Sequence, residues 1–401
     1  MLFDGLDSPT KKKESFITST CIFKDVAKKK PAKKKATVKK KPNPSPKPMA
    51  GKDSYETSGY RDSQAALMKK KRASDRDIGD LPDLINLERR NFALESLDNF
   101  KVTYFPNKFY REDCPPLKRC TDKIESVITV GGQVAIGLPR GTGKTSNLEA
   151  GTTYSICSGK RNFVVLIADE TDSAGRLLEN IKYVFETNVL LAEDFPEICY
   201  PIIKLEGITH RAKGQLYKGE RTRITWSNKY IQFPKIDGSS ASEAIIYPCS
   251  IDKVRRGLHF EKADGSVMRP DLVLIDDPQN DESARSRDQT NKREKTICGT
   301  IAGLAGQDQQ IAMLLACTVI YEDDLAYKML SRDIHPEWQG EKHALITEWA
   351  DADAMKLWEN YRAVFLDEIS THAERGVEAM RHPESNKYYS ENKKTWTPAV
   401  Q

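Results

Sequence analysis

No two cysteines of this chain stand at Cys-x-x-Cys spacing, although there are eight of them. Cys114 and Cys120 come closest, and thiols dispersed in this way suit a reduced, cytosolic protein better than a disulfide framework. The six histidines make no His-x-x-x-His pair and no cysteine–histidine cluster at zinc-ligand spacing, so no structural zinc is expected. Apolar runs all fall short of the ~18 residues that cross a bilayer, and the lysine-studded start lacks the apolar core of a secretory signal. The expectation is a protein that is neither membrane-spanning nor exported.

Core-forming residues are also scarce at the start. Lys11–Lys13, Lys28–Lys30, Lys33–Lys35 and Lys39–Lys41 alternate with Pro31, Pro42, Pro44, Pro46 and Pro48. Such a stretch offers too little apolar area to offset chain entropy. Residues 1–73 therefore read as a disordered Lys/Pro-rich tail, with one apolar patch at Phe16-Ile17 and Ile22-Phe23 that suits a docking peptide. The formal net charge of +5 comes from this tail, and the remainder is acidic. A lysine tract of this kind either holds nucleic acid through counterion release or serves as a solvated extension or targeting signal; the two readings stand about level.

The chemistry begins where the apolar run Gln133–Ile136 opens into Gly137-Leu-Pro-Arg-Gly-Thr-Gly-Lys-Thr145. Glycines let successive N–H groups point inward at a polyphosphate, a lysine reaches its terminal phosphates, and a threonine hydroxyl ligates Mg²⁺ at the start of the next helix. Pro139, Arg140, Gly141, Thr142, Gly143, Lys144 and Thr145 are thus the candidate nucleotide-binding residues, with Thr145 also a metal candidate. The spacing departs from the usual pattern, since Leu138 stands where a glycine is common. An ordinary glycine-rich strand-to-helix turn is the bland alternative.

A second segment strengthens the first. Leu272–Ile275 reads as a buried strand that ends in Asp276-Asp277-Pro278, and the carboxyl ends of parallel strands are where open α/β sheets hold ligands. Asp276 is the candidate Mg²⁺ acid and Asp277 the acid that orients and deprotonates the attacking water. Asp before Pro is also a common helix cap, the competing explanation. A third run, Ile311–Ile320, carries Thr318 near its C-terminal end, where a hydroxyl can bond the attacking water or sense the γ-phosphate. Mere β-branched packing is the rival reading there.

The remaining pattern is β-α-β alternation. An amphipathic helix is expected from Leu81 through Leu97, another over Leu117–Ile128, and a third over Ser146–Ser158. A strand over Asn162–Ala168 and a helix over Thr171–Thr187 follow. Arg223–Phe233 and Ala244–Ser250 read as an antiparallel insertion, Ala344–Trp349 as a fifth strand, and Ala352–Ile369 as a helix.

Taken together these segments resemble the large terminase subunit of tailed bacteriophages, the ATPase that drives double-stranded DNA into a capsid. The resemblance rests on Leu138–Thr145, on Arg256-Gly257 and Arg269-Pro270-Asp271 ahead of Leu272–Pro278, and on Cys317–Leu325, and it covers about Pro82 to Tyr389. It implies an α/β fold of the P-loop NTPase type, additional-strand and RecA-like, with a central mainly parallel sheet flanked by helices and a small β insertion. Residues 74–373 would be the ATPase domain and 374–401 an extension towards a nuclease domain.

By position, the resemblance makes Lys144 and Thr145 the ligands of phosphate and Mg²⁺, Arg140 a sensor of the γ-phosphate, and Asp276 the metal acid. Asp277 becomes the catalytic acid and Thr318 the link from hydrolysis to movement. The cofactors implied are ATP and Mg²⁺. The partners implied are double-stranded DNA, the capsid portal protein, the small terminase subunit and a separate nuclease chain, with a homo-oligomeric ring during packaging and no membrane. The location implied is the host cytoplasm, transiently at the procapsid portal.

Two departures accompany the resemblance. The catalytic acid in related ATPases is commonly glutamate, one methylene longer than Asp277. The nuclease domain usual in the family has no counterpart here, because Asp323, Asp324, Asp351, Asp353 and Asp367 fall in helix or cap contexts. A fragment and a natural separation of the nuclease both account for this. Lys253, Arg255 and Arg256 are candidate DNA contacts, with Arg255 or Arg256 equally a candidate arginine finger. A helicase-like nucleic-acid-dependent ATPase and a non-catalytic DNA-binding assembly subunit remain the competing functions.

Overall fold

The computed structural model describes residues 62–68, 76–306, 309–345 and 351–375. The expected tail therefore lies outside the described residues except for a short helix, α1 (62–68). The extension over 374–401 lies outside them beyond Arg375.

Three sequence runs made almost wholly of apolar residues form the centre: β2 (Phe163–Ala168), β10 (Leu272–Asp276) and β11 (Ala312–Cys317). Strands covered on both faces read this way because every position is buried, and each such side chain contributes roughly 1.5–3 kcal/mol. They belong to an eight-stranded sheet with β1 (Gln133–Gly137), β5 (Thr225–Trp226), β6 (Ile231–Gln232), β7 (Ile245–Ser250) and β12 (Glu341–Lys342), in the order β12-β1-β11-β10-β2-β7-β6-β5. From β12 to β7 every pairing is parallel, and β6 and β5 continue the sheet antiparallel. Two short ribbons stand apart, β3 (Leu216–Tyr217) with β4 (Glu220–Arg221) and β8 (Phe260–Glu261) with β9 (Val267–Met268).

Alternation along the strands sorts side chains into two core layers. Val134, Ile136, Val164, Leu166, Leu272, Leu274, Ala312, Leu314 and Ala316 face one layer. Helices α2 (Leu87–Glu95), α3 (Leu97–Tyr104), α4 (Pro115–Thr129), α5 (Lys144–Ser158), α6 (Thr171–Thr187), α7 (Val189–Asp194) and α8 (Pro196–Ile203) pack on that side. The opposite layer takes Ala135, Val165, Ile167, Val273, Ile275, Met313 and Leu315. It is covered by a π-helical turn (Thr296–Ile301) that continues α10 (Arg287–Lys295), by α11 (Leu325–Leu330) and by Trp338. Helix α9 (Asp281–Arg285) precedes α10, and α12 (Ala352–Arg375) follows β12.

Several expectations need correction. The single helix expected across Leu81–Leu97 is two helices, because the side chain of Ser96 caps Asn99 N–H and breaks the run. Ile85, Leu87 and Phe92 are exposed, so the period there did not report one buried face. The antiparallel segment expected over Arg223–Phe233 and Ala244–Ser250 holds in part: β6 pairs antiparallel with both β5 and β7, but β7 also pairs parallel with β2 along its length and so belongs to the main sheet. Helices α7 and α8 went unread, Pro201 inside α8 disguising it. Of the strand expected over Ala344–Trp349, residues 346–349 lie outside the described residues, Ala344 and Leu345 are not in a strand, and the edge strand β12 is earlier.

Candidate functional site

Register brings the three candidate segments level. Gly137 of β1 is paired with Cys317 of β11, and Ala316 with Asp276 of β10, so these parallel strands end along one line. Asp276 shares the parity of Leu272 and Leu274, and Thr318 that of Leu314 and Ala316, which aims both toward the α5 side of the sheet. From β1 the chain leaves through Leu138, whose N–H donates to the Cys317 carbonyl at 3.0 Å, and enters α5 after Gly143. Gly141 and Gly143 take φ of +81° and +91°, which any β-carbon would strain. Among the described residues, no backbone carbonyl accepts from the N–H groups of Gly141 through Thr145. This set of free donors at a helix start favours a bound anion.

Lys144 is 5 % exposed, and its ammonium is held by weak or polar partners. It donates to Thr318 Oγ1 at 2.8 Å and to the carbonyls of Pro139 and Leu138 at 3.3 and 3.4 Å, with Asp277 Oδ2 at 3.5 Å. Thr145 Oγ1 donates to Asp276 Oδ2 at 2.7 Å. The other oxygen, Asp276 Oδ1, is buried and accepts from no donor. Burial pushes the Asp276 carboxyl up to about 6, with the Asp277 and Glu149 charges adding to the rise and the Thr145 hydroxyl and Lys144 opposing it. Asp277 turns out of the strand with φ of +37°, an unfavourable backbone for a non-glycine residue, while its N–H still donates to the Ala316 carbonyl.

Lys144, Thr145, Asp276, Asp277 and Thr318 are thus brought together. The hard oxygen atoms of Thr145, Asp276 and Asp277 fit a magnesium ion, above all the unpartnered Asp276 Oδ1 beside the Thr145 hydroxyl. Pro139 contributes its carbonyl, which also accepts from Thr142 Oγ1 at 2.9 Å. Arg140 does not join the cluster: it is exposed and pairs with Asp281 of α9 at 3.3 Å. Arg255 and Arg256 are exposed beside a cavity of about 460 Å³ lined also by Tyr247 and Leu258. That cavity reaches Val165 and Leu304 of the core layer opposite α5. Asp271 has a structural task, accepting from the N–H groups of Asn162 and Phe163 at 2.8 and 3.0 Å and so aligning the starts of β10 and β2.

Two supports were missed by reading along the chain. Gln279 Nε2 donates to the Thr318 carbonyl at 3.1 Å and to Asp324 Oδ2 at 2.7 Å, tying the segment after the acids to the segment after Thr318. Asp324, 1 % exposed, also accepts from the N–H groups of Ile320, Tyr321 and Tyr327. Its place ahead of α11 was legible as a helix cap, but its second bond to Gln279 was not. Beneath the glycine-rich loop, the buried Lys101 donates to Asp113 at 2.5 Å and Thr121 at 2.8 Å, Thr121 to Asn147 at 2.9 Å, and Asn147 Nδ2 to the Gly143 carbonyl at 3.1 Å. This chain of hydrogen bonds fixes the loop's exit from below.

No helix among the described residues is long and apolar enough to cross a membrane. Comparison with protein-family models finds no match, and comparison with curated proteins finds none either.

Proposed function

We propose that the chain is a Mg²⁺-dependent ATPase of the P-loop, additional-strand RecA-like type, and that it is the motor subunit of a phage terminase, coupling hydrolysis to translocation of double-stranded DNA. The observation that carries this reading is the meeting of Lys144, Thr145, Asp276, Asp277 and Thr318 at the carboxyl ends of three adjacent parallel strands. Also in its favour, β11 lies between the glycine-loop strand and the acid strand, so Thr318 sits between the loop and the acids. The terminase part of the proposal rests on the sequence resemblance at Leu138–Thr145, Leu272–Pro278 and Cys317–Leu325.

In this reading the free N–H groups of Gly141 to Thr145 cradle the phosphates, and Lys144 exchanges its bonds to Thr318 and Asp277 for the terminal phosphate. Thr145 and Asp276 hold Mg²⁺, which offsets charge on the phosphate oxygens. Asp277, released from Lys144, accepts the proton of the attacking water. Thr318, bonded to Lys144 when the lysine is not on phosphate, reports that change through Gln279 and Asp324 to α11.

The test is ATPase turnover with and without duplex DNA, for the full chain and for Lys144→Ala and Asp277→Asn. The expected result is Mg²⁺-dependent turnover raised by duplex DNA, with both variants reduced about a hundredfold or more. Absent or DNA-insensitive turnover would favour the assembly-subunit reading, and separation of the strands would favour the helicase-like one.

A further inference from the structure

Away from the sheet edge, the described residues gather three chemically different ligand groups, one of them far in sequence from the other two. Cys298 sits on the π-helical turn after α10, a local irregularity often found at functional positions. His335 and Glu337 lie beyond α11, at the start of the 3₁₀ turn Pro336–Trp338. Cys298 Sγ is 4.0 Å from His335 Nδ1, and Glu337 Oε1 is 3.0 Å from the same nitrogen. All three ligand atoms lie within 4.8 Å of one another.

The surroundings of the imidazole argue for a cation. His335 Nε2 lies 3.1 Å from Glu294 Oε1, and the second Glu294 oxygen accepts from Lys328 Nζ at 2.9 Å. An ionised carboxylate only accepts, and each ring nitrogen faces one, so a ring with a single proton can donate to only one of the two glutamates. The other nitrogen then presents its lone pair to a second acceptor at hydrogen-bond distance, and with the proton directed at Glu294 that acceptor is Glu337 Oε1. Two lone pairs at this separation repel unless a positive charge lies between them or the ring takes a second proton. A carboxylate behind a ligating histidine is also the usual device for orienting the ring toward a metal.

We propose that Cys298, His335 and Glu337 form a transition-metal site of the zinc class, with Glu294 as the positioning residue behind His335 and water as the fourth ligand. The donor set decides the class: sulfur and imidazole nitrogen beside one carboxylate oxygen suit Zn²⁺ and disfavour Mg²⁺ or Ca²⁺. Size agrees as well. Zinc bonds of about 2.0–2.3 Å in a tetrahedron put ligand atoms about 3.3–3.6 Å apart, so the nitrogen pairs need adjustments of some tenths of an ångström, and Cys298 Sγ and Glu337 Oε1, which lie within 4.8 Å, close by up to about 1 Å through their exposed side chains. Cys298 and Glu337 are exposed, which leaves an approach for the ion and for water.

The site's position gives it a mechanical role. Arg293, next to Glu294 on α10, donates to the Pro278 carbonyl at 2.9 Å, directly after the acid pair. His335 and Glu337 lie just before Trp338, which is buried in the core, and before β12, which pairs with β1. A metal here ties the helix behind Asp276 and Asp277 to the segment that reaches the glycine-loop strand. It does so without touching the candidate nucleotide residues, and the inference stands independently of the ATPase proposal.

Cobalt(II) added to the metal-free full chain supplies the probe. The expected result is one bound equivalent with the intense visible bands of a four-coordinate site and a near-ultraviolet thiolate-to-cobalt band, both displaced by Zn²⁺. Cys298→Ala should abolish the thiolate band, and Glu294→Gln should keep both bands while weakening affinity about 10- to 100-fold. Cys114→Ala and Cys249→Ala, which alter partly buried thiols elsewhere, should leave the spectrum unchanged. Circular dichroism of each metal-free variant checks that it is folded. The proposal is overturned if no such bands arise at one equivalent, or if they persist in folded Cys298→Ala. It is equally overturned if nuclear magnetic resonance finds His335 doubly protonated between its two glutamates in the presence of excess Zn²⁺.

Discussion

Replacing Asp276 by asparagine should make the ligand-free protein more stable while removing the proposed ATPase activity. The carboxyl is pushed up to about 6 by burial from an ordinary value of 3.8. The gap of about 2 pH units corresponds to at most about 3 kcal/mol, and partial solvent access at the strand end brings the expected figure to about 1–3 kcal/mol. The sign follows from proton counts: between pH 3.8 and about 6 the folded state holds more protons at this group than the unfolded state does. Wild-type stability therefore falls as pH rises through that window and levels off above it. The amide of the Asp276→Asn variant carries no charge at any of these pH values and still offers its carbonyl to the Thr145 hydroxyl. Urea unfolding of both proteins, free of nucleotide and metal, should show the variant ahead at pH 7.5 and the advantage mostly gone near pH 4. Adding Mg²⁺ with ATP should raise the melting temperature of the wild type and leave the variant almost unmoved. A variant no more stable than wild type at pH 7.5, or an advantage that is the same at both pH values, would refute the argument that the buried Asp276 carboxylate costs the ligand-free fold stability.

Two further outcomes test the frame around the site. Glu341 of β12 is held down to about 2, chiefly by the hydrogen bonds from Arg119 and then by Lys123, against the opposing effect of burial. Its contribution is thus present above the ordinary value of 4.5 and drains as pH falls toward about 2, so Glu341→Gln should flatten that part of an acid-unfolding curve; an unchanged curve would show that α4 does not secure β12. In α5, a β-carbon at Gly151 would lie 2.5 Å from Ile124 Cγ2 of α4. Gly151→Ala gains about 1 kcal/mol of helix propensity but overpacks by about 1–3 kcal/mol, so urea unfolding should report a net loss of about 1 kcal/mol, and a gain would show the two helices to be less closely packed.

The parallel centre was legible because burial on both faces writes itself into a strand as an unbroken apolar run, as in Phe163–Ala168 and Ala312–Cys317. The helix Thr171–Thr187 was legible for the complementary reason, a one-sided apolar stripe. The β5/β6 hairpin was legible as antiparallel β within Arg223–Phe233, whereas the two-residue β12 carries no period of its own and exists because β1 offers it hydrogen bonds. Direction was equally hidden in β7, since alternation is the same for a parallel and an antiparallel strand. Arg140 illustrates the limit for a site: its place in the loop is plain in sequence, yet its side chain goes to Asp281 on α9.

Residue order alone determined which candidate groups stand at the strand ends, because Gly-Lys-Thr follows β1 through a glycine-rich loop, the two acids follow Ile275 and Thr318 follows Cys317, and strand parity puts Asp276 and Thr318 on one side of the sheet. Only the tertiary structure decided that β11 stands between β1 and β10, that Gln279 joins Thr318 to Asp324, and that Cys298 meets His335 and Glu337. Local pattern records how each segment is buried. Which segments become neighbours is decided by crossovers that bring together residues far apart in the chain, and no local pattern encodes that.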